Sequence, residues 1–197
     1  MSESITTPNG STSRDARAVW NVAALIMSAA AAGGSVYLSL GLGLKACPLC
    51  YYQRSFAMAA LLVFTMLLWW NGVRSSGACL IVLPLAASGL GVAAFHVYLV
   101  QTGKLECPPG LFGWGDGPLQ SLTVFAVLTC VCIAGVLSTG RAEVGSRSTK
   151  AVAAMLIGVG VSWICIASTP PLPPPPQQHY DEIKQPLDMC RPPFQGG

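Results

Sequence analysis

The chain has 197 residues, 52% of them hydrophobic and 10% charged, with a formal net charge of +3. Soluble domains carry about 25% charged residues, so the composition excludes an ordinary soluble protein. The small net charge, without any basic patch, also argues against a nucleic-acid partner.

Five apolar runs approach the roughly 20 residues needed to cross a bilayer. They cover residues 19–44, 55–70, 78–100, 119–138 and 151–168. No series of short alternating strands suggests a barrel, so an all-α membrane bundle is expected, because helices satisfy their own backbone groups in lipid. The first run follows Arg14 and Arg17 and contains "AAAAGG", as a signal peptide would. It stays uncharged to Leu44, longer than the about 7–15 residues of a signal-peptide core, and is read as an uncleaved span.

Between the first and second runs stands "LKACPLCYYQRSF", residues 44–56. If the second helix begins here, Cys47, Cys50 and Arg54 lie at i, i+3 and i+7 and share a face. Arg54 then sits about 6 Å below Cys50 at 1.5 Å per residue. A neighbouring cation and a helix N-terminus both lower a thiol's pKa, which points to a thiolate at Cys50. A charge within a span is a functional candidate; the plain alternative is an arginine that snorkels to the headgroups. The third run holds His96, in "GVAAFHVYLVQTGK", at a depth where it could meet Arg54. Its plain alternative is a hydrogen-bonded packing residue.

Other uses of the cysteine pair fit less well. A c-type haem site needs His after the second cysteine, and Tyr51 is there. Zinc needs four ligands; Cys107, Cys190 and His179 could add to the pair, but there is no second C-x-x-C, and no metal site is expected. A soluble thioredoxin fold would need βαβ patterning, which is missing. A structural disulfide remains open, although closing a loop of two residues stabilises little.

Charge bias sets the expected orientation. Arg14, Arg17, Arg74, Arg141, Arg147 and Lys150 fall on one side of the spans. Lys45, Lys104, Lys184 and Arg191 fall on the other, mixed with Glu106, Asp116, Asp181, Glu182 and Asp188. Lys and Arg favour cytoplasmic loops, so the N-terminus is expected inside and the C-terminus outside. Cys47, Cys50, Cys107 and Cys190 then share the outer side, where disulfides persist. Cys79, Cys130, Cys132 and Cys165 stay in the bilayer as small packing residues. Cys130 and Cys132 are expected on different helix faces. After the fifth run comes "TPPLPPPPQQHYDEIKQPLDMCRPPFQGG". It reads as a stiff polyproline-like spacer that delivers a thiol, or else as a disordered terminus.

"CPLCYYQR" after the first span resembles the first outer loop of the disulfide bond formation protein B (DsbB) family. "FHVYLVQTGKLEC" resembles that family's entry into the second loop. The likeness covers about residues 20–140. It implies a membrane oxidoreductase that reoxidises a soluble thioredoxin-like (DsbA-like) dithiol protein and passes two electrons to a membrane quinone, ubiquinone or menaquinone. By this resemblance Cys47 and Cys50 form the quinone-proximal pair, Cys50 contacts the quinone, Arg54 polarises a quinone oxygen and His96 lines the same pocket. The division that follows is a cytoplasmic segment at 1–18, a four-helix redox core at 19–140, a loop and fifth helix at 141–168 and an extracytoplasmic tail at 169–197, all in the inner (plasma) membrane.

One feature departs from the family pattern, which has a second cysteine pair between spans three and four. Here that loop, "TGKLECPPGLFGWGDGPLQS", holds only Cys107. Cys190 is expected to be the missing partner. It is the outer cysteine left over, and the 22 residues from Ser168 to Cys190 can span about 70 Å. The alternatives are a relay through Cys107 alone or a different electron donor. Two further readings remain beside the enzyme: a non-catalytic membrane subunit stapled by disulfides and docking a larger complex, and a vitamin K epoxide reductase-like enzyme. In the latter family the active C-x-x-C lies late in the bundle, whereas here it follows the first span.

Overall fold

The computed structural model describes residues 9–75, 77–113, 115–138, 144–181 and 183–194. Arg141 and Glu182 lie outside the described residues, as does the side chain of Arg14. Five helices follow in order: α1 Asn9–Leu40, α2 Pro48–Asn71, α3 Ala78–Gln101, α4 Gly117–Leu137 and α5 Val144–Ala167. All five are long and apolar enough to cross a membrane, as the hydropathy pattern predicts.

Several helices begin before their apolar runs: α1 at Asn9, α5 at Val144 and, nearest the cysteine pair, α2. The apolar run begins at Ser55, but the helix begins at Pro48, so Cys50, Gln53 and Arg54 are all helical. Local sequence explains it. Cys47 is the N-cap, its sulfur accepting the Cys50 backbone N–H at 3.3 Å, and Pro48 occupies the first turn, where its missing N–H costs nothing. Hydropathy scores the polar side chains of this turn as an interruption, whereas the backbone does not.

α1 to α4 form a four-helix bundle in which neighbours in sequence pack together and α4 closes on α1. α5 stands outside this square and packs mainly along α3. Apolar surface cannot drive that pairing in lipid, where tails are as apolar as leucine, so close approach of small residues has to do it. At Gly158 of α5, an added Cβ would lie 2.5 Å from Ala87 Cβ and 2.7 Å from the Pro84 carbonyl oxygen of α3. Ser88 then donates a hydrogen bond to the Gly158 carbonyl at 3.1 Å. Within the four-helix bundle Phe64, Val82, Leu83, Leu128 and Cys132 fill the core.

The loops divide between the two ends of the bundle. At one end, Asn21 donates to the carbonyls of Val73 and Ser75, each at 2.9 Å, and Arg74 lies 3.4 Å from Asp15. At the other end gather the α1–α2 loop, the α3–α4 loop and the tail. The tail is tied down on both sides of Cys190. Lys45 pairs with Asp188 at 2.7 Å and donates its backbone N–H to the Asp188 carbonyl. Glu106 and Arg191 form an antiparallel bridge with both backbone hydrogen bonds made, reinforced by a 2.8 Å ion pair between their side chains. Arg191 also stacks 3.7 Å above the Tyr180 ring, and the Tyr180 hydroxyl donates to the Pro192 carbonyl. This is a docked segment, not a free terminus.

Candidate redox site

The site is built where the α2 N-terminus, the last turns of α3 and the docked tail converge. Cys47 and Cys50 are a free dithiol with sulfurs 2.8 Å apart. Cys107 and Cys190 are joined by a disulfide, the pairing expected from the sequence. The sulfurs of Cys47, Cys50 and Cys190 and a ring nitrogen of His96 all lie within 4.8 Å of one another. A reduced pair and an oxidised pair are therefore held within reach of thiol–disulfide exchange, in which a thiolate attacks a disulfide sulfur directly.

His96 is fully buried. Its Nε2 lies 3.8 Å from the Cys47 sulfur and 3.6 Å from the Cys107 sulfur. Its Nδ1 faces the Gln53 amide nitrogen at 3.3 Å. With that amide donating, Nδ1 is the acceptor and the imidazole proton sits on Nε2, aimed at the two sulfurs. Cys47, one residue before the α2 span, has its thiol held below the ordinary thiol range. The Cys50 thiol hydrogen bond is the largest cause, and His96 and the Cys50 backbone N–H act in the same sense against burial, which opposes them. Spacing points to a thiolate at Cys50, and within the same pair the hydrogen bonds from Cys50 and His96 converge on Cys47.

Arg54 is turned toward α1. Its Nε donates to Ser35 Oγ at 2.9 Å, and its Nη2 donates to the Ser35 carbonyl at 2.8 Å and to Ser39 Oγ. The two N–H groups of Nη1 have no protein acceptor among the described residues. Arg54 lines a cleft enclosing about 990 Å³ of empty space, its open mouth included. Cys50, Gln53, Ser35, Ser39, Gln120 and Phe125 share its wall, and Cys190 reaches it as well. Gln120 is held across the mouth by paired 2.8 Å hydrogen bonds with the Leu111 backbone. The wall presents apolar sides, a sulfur and a cationic donor. His96 does not line the cleft. Gln53, which does line it, stands beside His96, whose α3 face is turned to the cysteines.

Sequence reasoning left out Gln53, Ser35 and Ser39. Gln53 lies three residues after Cys50, and Ser35 and Ser39 are i, i+4 on one face of α1, so polar residues at helical spacing within apolar runs were the available signal. The remaining cysteines divide as expected. Cys132 is buried and Cys130 exposed. Cys79 is buried and donates to Asn21 Oδ1 at 3.1 Å, so it is tied into the loop-holding network and does more than fill space. His179 lies away from the site, against Phe194 in the tail.

The family model described as "Disulfide bond formation protein DsbB" matches residues 16–123, more than half of the chain. A probable disulfide formation protein of Chlamydia pneumoniae is 28% identical over 110 residues, covering 50% of this chain and 78% of that protein. Disulfide bond formation protein B of Xanthomonas oryzae pv. oryzae is 42% identical over 69 residues, covering 33% of this chain and 40% of that protein. No solved structure matches the chain. The family match ends within α4, so α5, the tail and Cys190 lie beyond it.

Proposed function

The chain belongs to the DsbB family of disulfide bond formation proteins, and from that membership we propose that it is a dithiol:quinone oxidoreductase whose second cysteine pair is completed by its own tail. The observation that carries this is the juxtaposition of the Cys47–Cys50 dithiol and the Cys107–Cys190 disulfide around His96.

In this reading a reduced thioredoxin-like protein attacks the Cys107–Cys190 disulfide. One sulfur bonds to the partner and the other leaves as a thiolate. The partner's second thiol then closes the partner's disulfide, leaving two electrons and two protons on Cys107 and Cys190. When Cys47 and Cys50 are oxidised, a Cys190 thiolate attacks their disulfide, and Cys107 closes back onto Cys190 to leave the inner pair reduced. His96, poised by Gln53, sits where it can hold the proton exchanged between Cys47 and Cys107. A quinone bound in the Arg54 cleft supplies the two-electron acceptor. Arg54 Nη1 would donate to one of its oxygens, and Cys50 is the sulfur that faces it.

The loops and tail of the site lie outside the cell membrane in this reading and the Arg74 end lies within, following the charge bias. The protein is then a multi-pass protein of the inner membrane.

The test is quinone-dependent oxidation of a reduced thioredoxin-like protein by the chain in lipid nanodiscs. Cys47→Ser and Cys50→Ser should each abolish turnover. Cys190→Ser should abolish oxidation of the protein substrate while the inner pair still cycles with a small dithiol. Full protein-substrate turnover in Cys190→Ser would remove the tail from the relay.

A further inference from the structure

Four donors of one soft-metal ligand set meet in the site. The sulfurs of Cys47, Cys50 and Cys190 and a nitrogen of His96 lie within 4.8 Å of one another. A tetrahedral zinc centre with bonds of about 2.3 Å to sulfur and 2.0 Å to nitrogen spaces its ligands by roughly 3.5–3.8 Å. Cys47 already stands 3.8 Å from His96 Nε2, so closing the set asks for shifts of about an ångström. The two N-terminal ligands carry the C-x-x-C spacing of structural zinc sites. The outer shell is present too. Gln53 faces His96 Nδ1, and with its amide turned over, its oxygen accepts the Nδ1 proton and frees the Nε2 lone pair. The fourth ligand comes from the tail, so the chain itself has no second C-x-x-C to advertise the site.

We propose that the fully reduced protein binds one zinc ion between Cys47, Cys50, Cys190 and His96, and that the ion holds the relay off. The centre forms only after the Cys107–Cys190 disulfide has been opened. A dithiol donor supplies the two electrons and two protons that convert this disulfide to two thiols; in the test tube a phosphine supplies the two electrons and water the two protons, the phosphine leaving as its oxide. Zinc then displaces three protons, from Cys47, Cys50 and Cys190, as three Zn–S bonds form. While the ion is held, none of these sulfurs is free to attack a disulfide. When a quinone takes two electrons from Cys47 and Cys50, with two protons from water, the two sulfurs join as a disulfide, two ligands are lost and Zn2+ is released. The site thus distinguishes a reduced enzyme that lacks an acceptor from one that is turning over. The hold on the relay rests on the function proposed above, whereas the metal site does not, because binding is read without turnover.

The experiment uses the full chain in detergent, reduced with a phosphine, freed of reductant without oxygen and titrated with Zn2+ against a zinc indicator. Co2+ in place of Zn2+ reports tetrahedral thiolate coordination by its visible absorption. One ion per reduced chain is expected, held at least about 100-fold more tightly than in Cys190→Ser. The oxidised chain should hold none, and re-reduction should restore binding, which excludes misfolding as the cause. Cys107→Ser should bind as tightly as the reduced wild type, and without the need to open the outer disulfide. Equal affinity in Cys190→Ser, a comparable loss in Cys107→Ser, or binding that ignores the redox state would overturn the assignment. A chain that binds zinc in this way yet fails to oxidise a protein dithiol would refute the relay and leave the metal site standing.

Discussion

Replacing Arg54 by Met tests the cleft most directly. The guanidinium has five N–H donors. Three point to Ser35 Oγ, the Ser35 carbonyl and Ser39 Oγ, which leaves the two on Nη1 for a ligand oxygen. A hydrogen bond from a charged donor contributes about 1.5–3 kcal/mol. At 1.4 kcal/mol per tenfold, losing it should raise the KM for quinone by roughly 10- to 150-fold. The effect on folding should be smaller, since both serine hydroxyls can turn back to carbonyls of their own helix one turn earlier. Arg54→Lys keeps the charge but not the fork, and cannot serve α1 and the ligand together; its KM should fall between the two. The assay is initial rate against quinone concentration in nanodiscs with the protein dithiol in excess, alongside a thermal melt. A KM within twofold of wild type in Arg54→Met, with the melt unchanged, would show that Arg54 does not face the quinone and serves only to join α1 to α2.

Other outcomes follow from single contacts. Gly158→Leu forces a side chain into the Ala87 and Pro84 backbone wall; a stability loss of about 1–3 kcal/mol is expected, seen as a lower melting temperature, whereas Gly160→Leu, where the added Cβ meets nothing, should melt like wild type. Lys45 holds the Asp188 carboxyl below the usual carboxylate range. Its contribution to tail docking is therefore complete above the unfolded value of about 4 and lost as pH falls through the lowered folded value. In Cys190→Ser, where no disulfide holds the tail, proteolysis of the tail should be unchanged from pH 7 to 5 and rise in stronger acid, and Asp188→Asn should show the loosened tail already at neutral pH. His96→Ala should slow exchange between the cysteine pairs while leaving quinone KM unchanged, because His96 is not among the residues lining the cleft; a rise in KM would place His96 beside the quinone. With the N-terminus inside, an impermeant thiol reagent should label reduced Cys190 on intact cells, and labelling only after permeabilisation would reverse the orientation.

The parts of this protein readable along the chain are those that lipid or local chemistry imposes on a contiguous segment. A bilayer demands apolar runs, so the five spans stand out, and the thiol pair with Arg54 shows because charge and reactive sulfur are conspicuous in such a run. The loop with one cysteine already hinted that its partner must come from the tail, and chain length allowed it. Hydropathy alone starts the second run at Ser55, whereas the spacing of Cys47, Cys50 and Arg54 already points to a helix start at the cysteine pair, where Cys47 and Pro48 cap the backbone.

Contacts between segments far apart in sequence were set by packing alone. That Arg54 spends three donors on α1, that Gln53 rather than Arg54 neighbours His96, and that the cleft opens between α1, α2 and α4 all depend on how the helices rotate against one another. Small residues at Gly158, Ala87 and Ser88 fix part of that rotation through close approach, which one helix's own periodicity cannot reveal. The seat of Cys190 is decided in the same way. Its position in the chain gives only reach, and the Lys45–Asp188 and Glu106–Arg191 contacts on either side are what hold its sulfur among those of Cys47, Cys50 and Cys107.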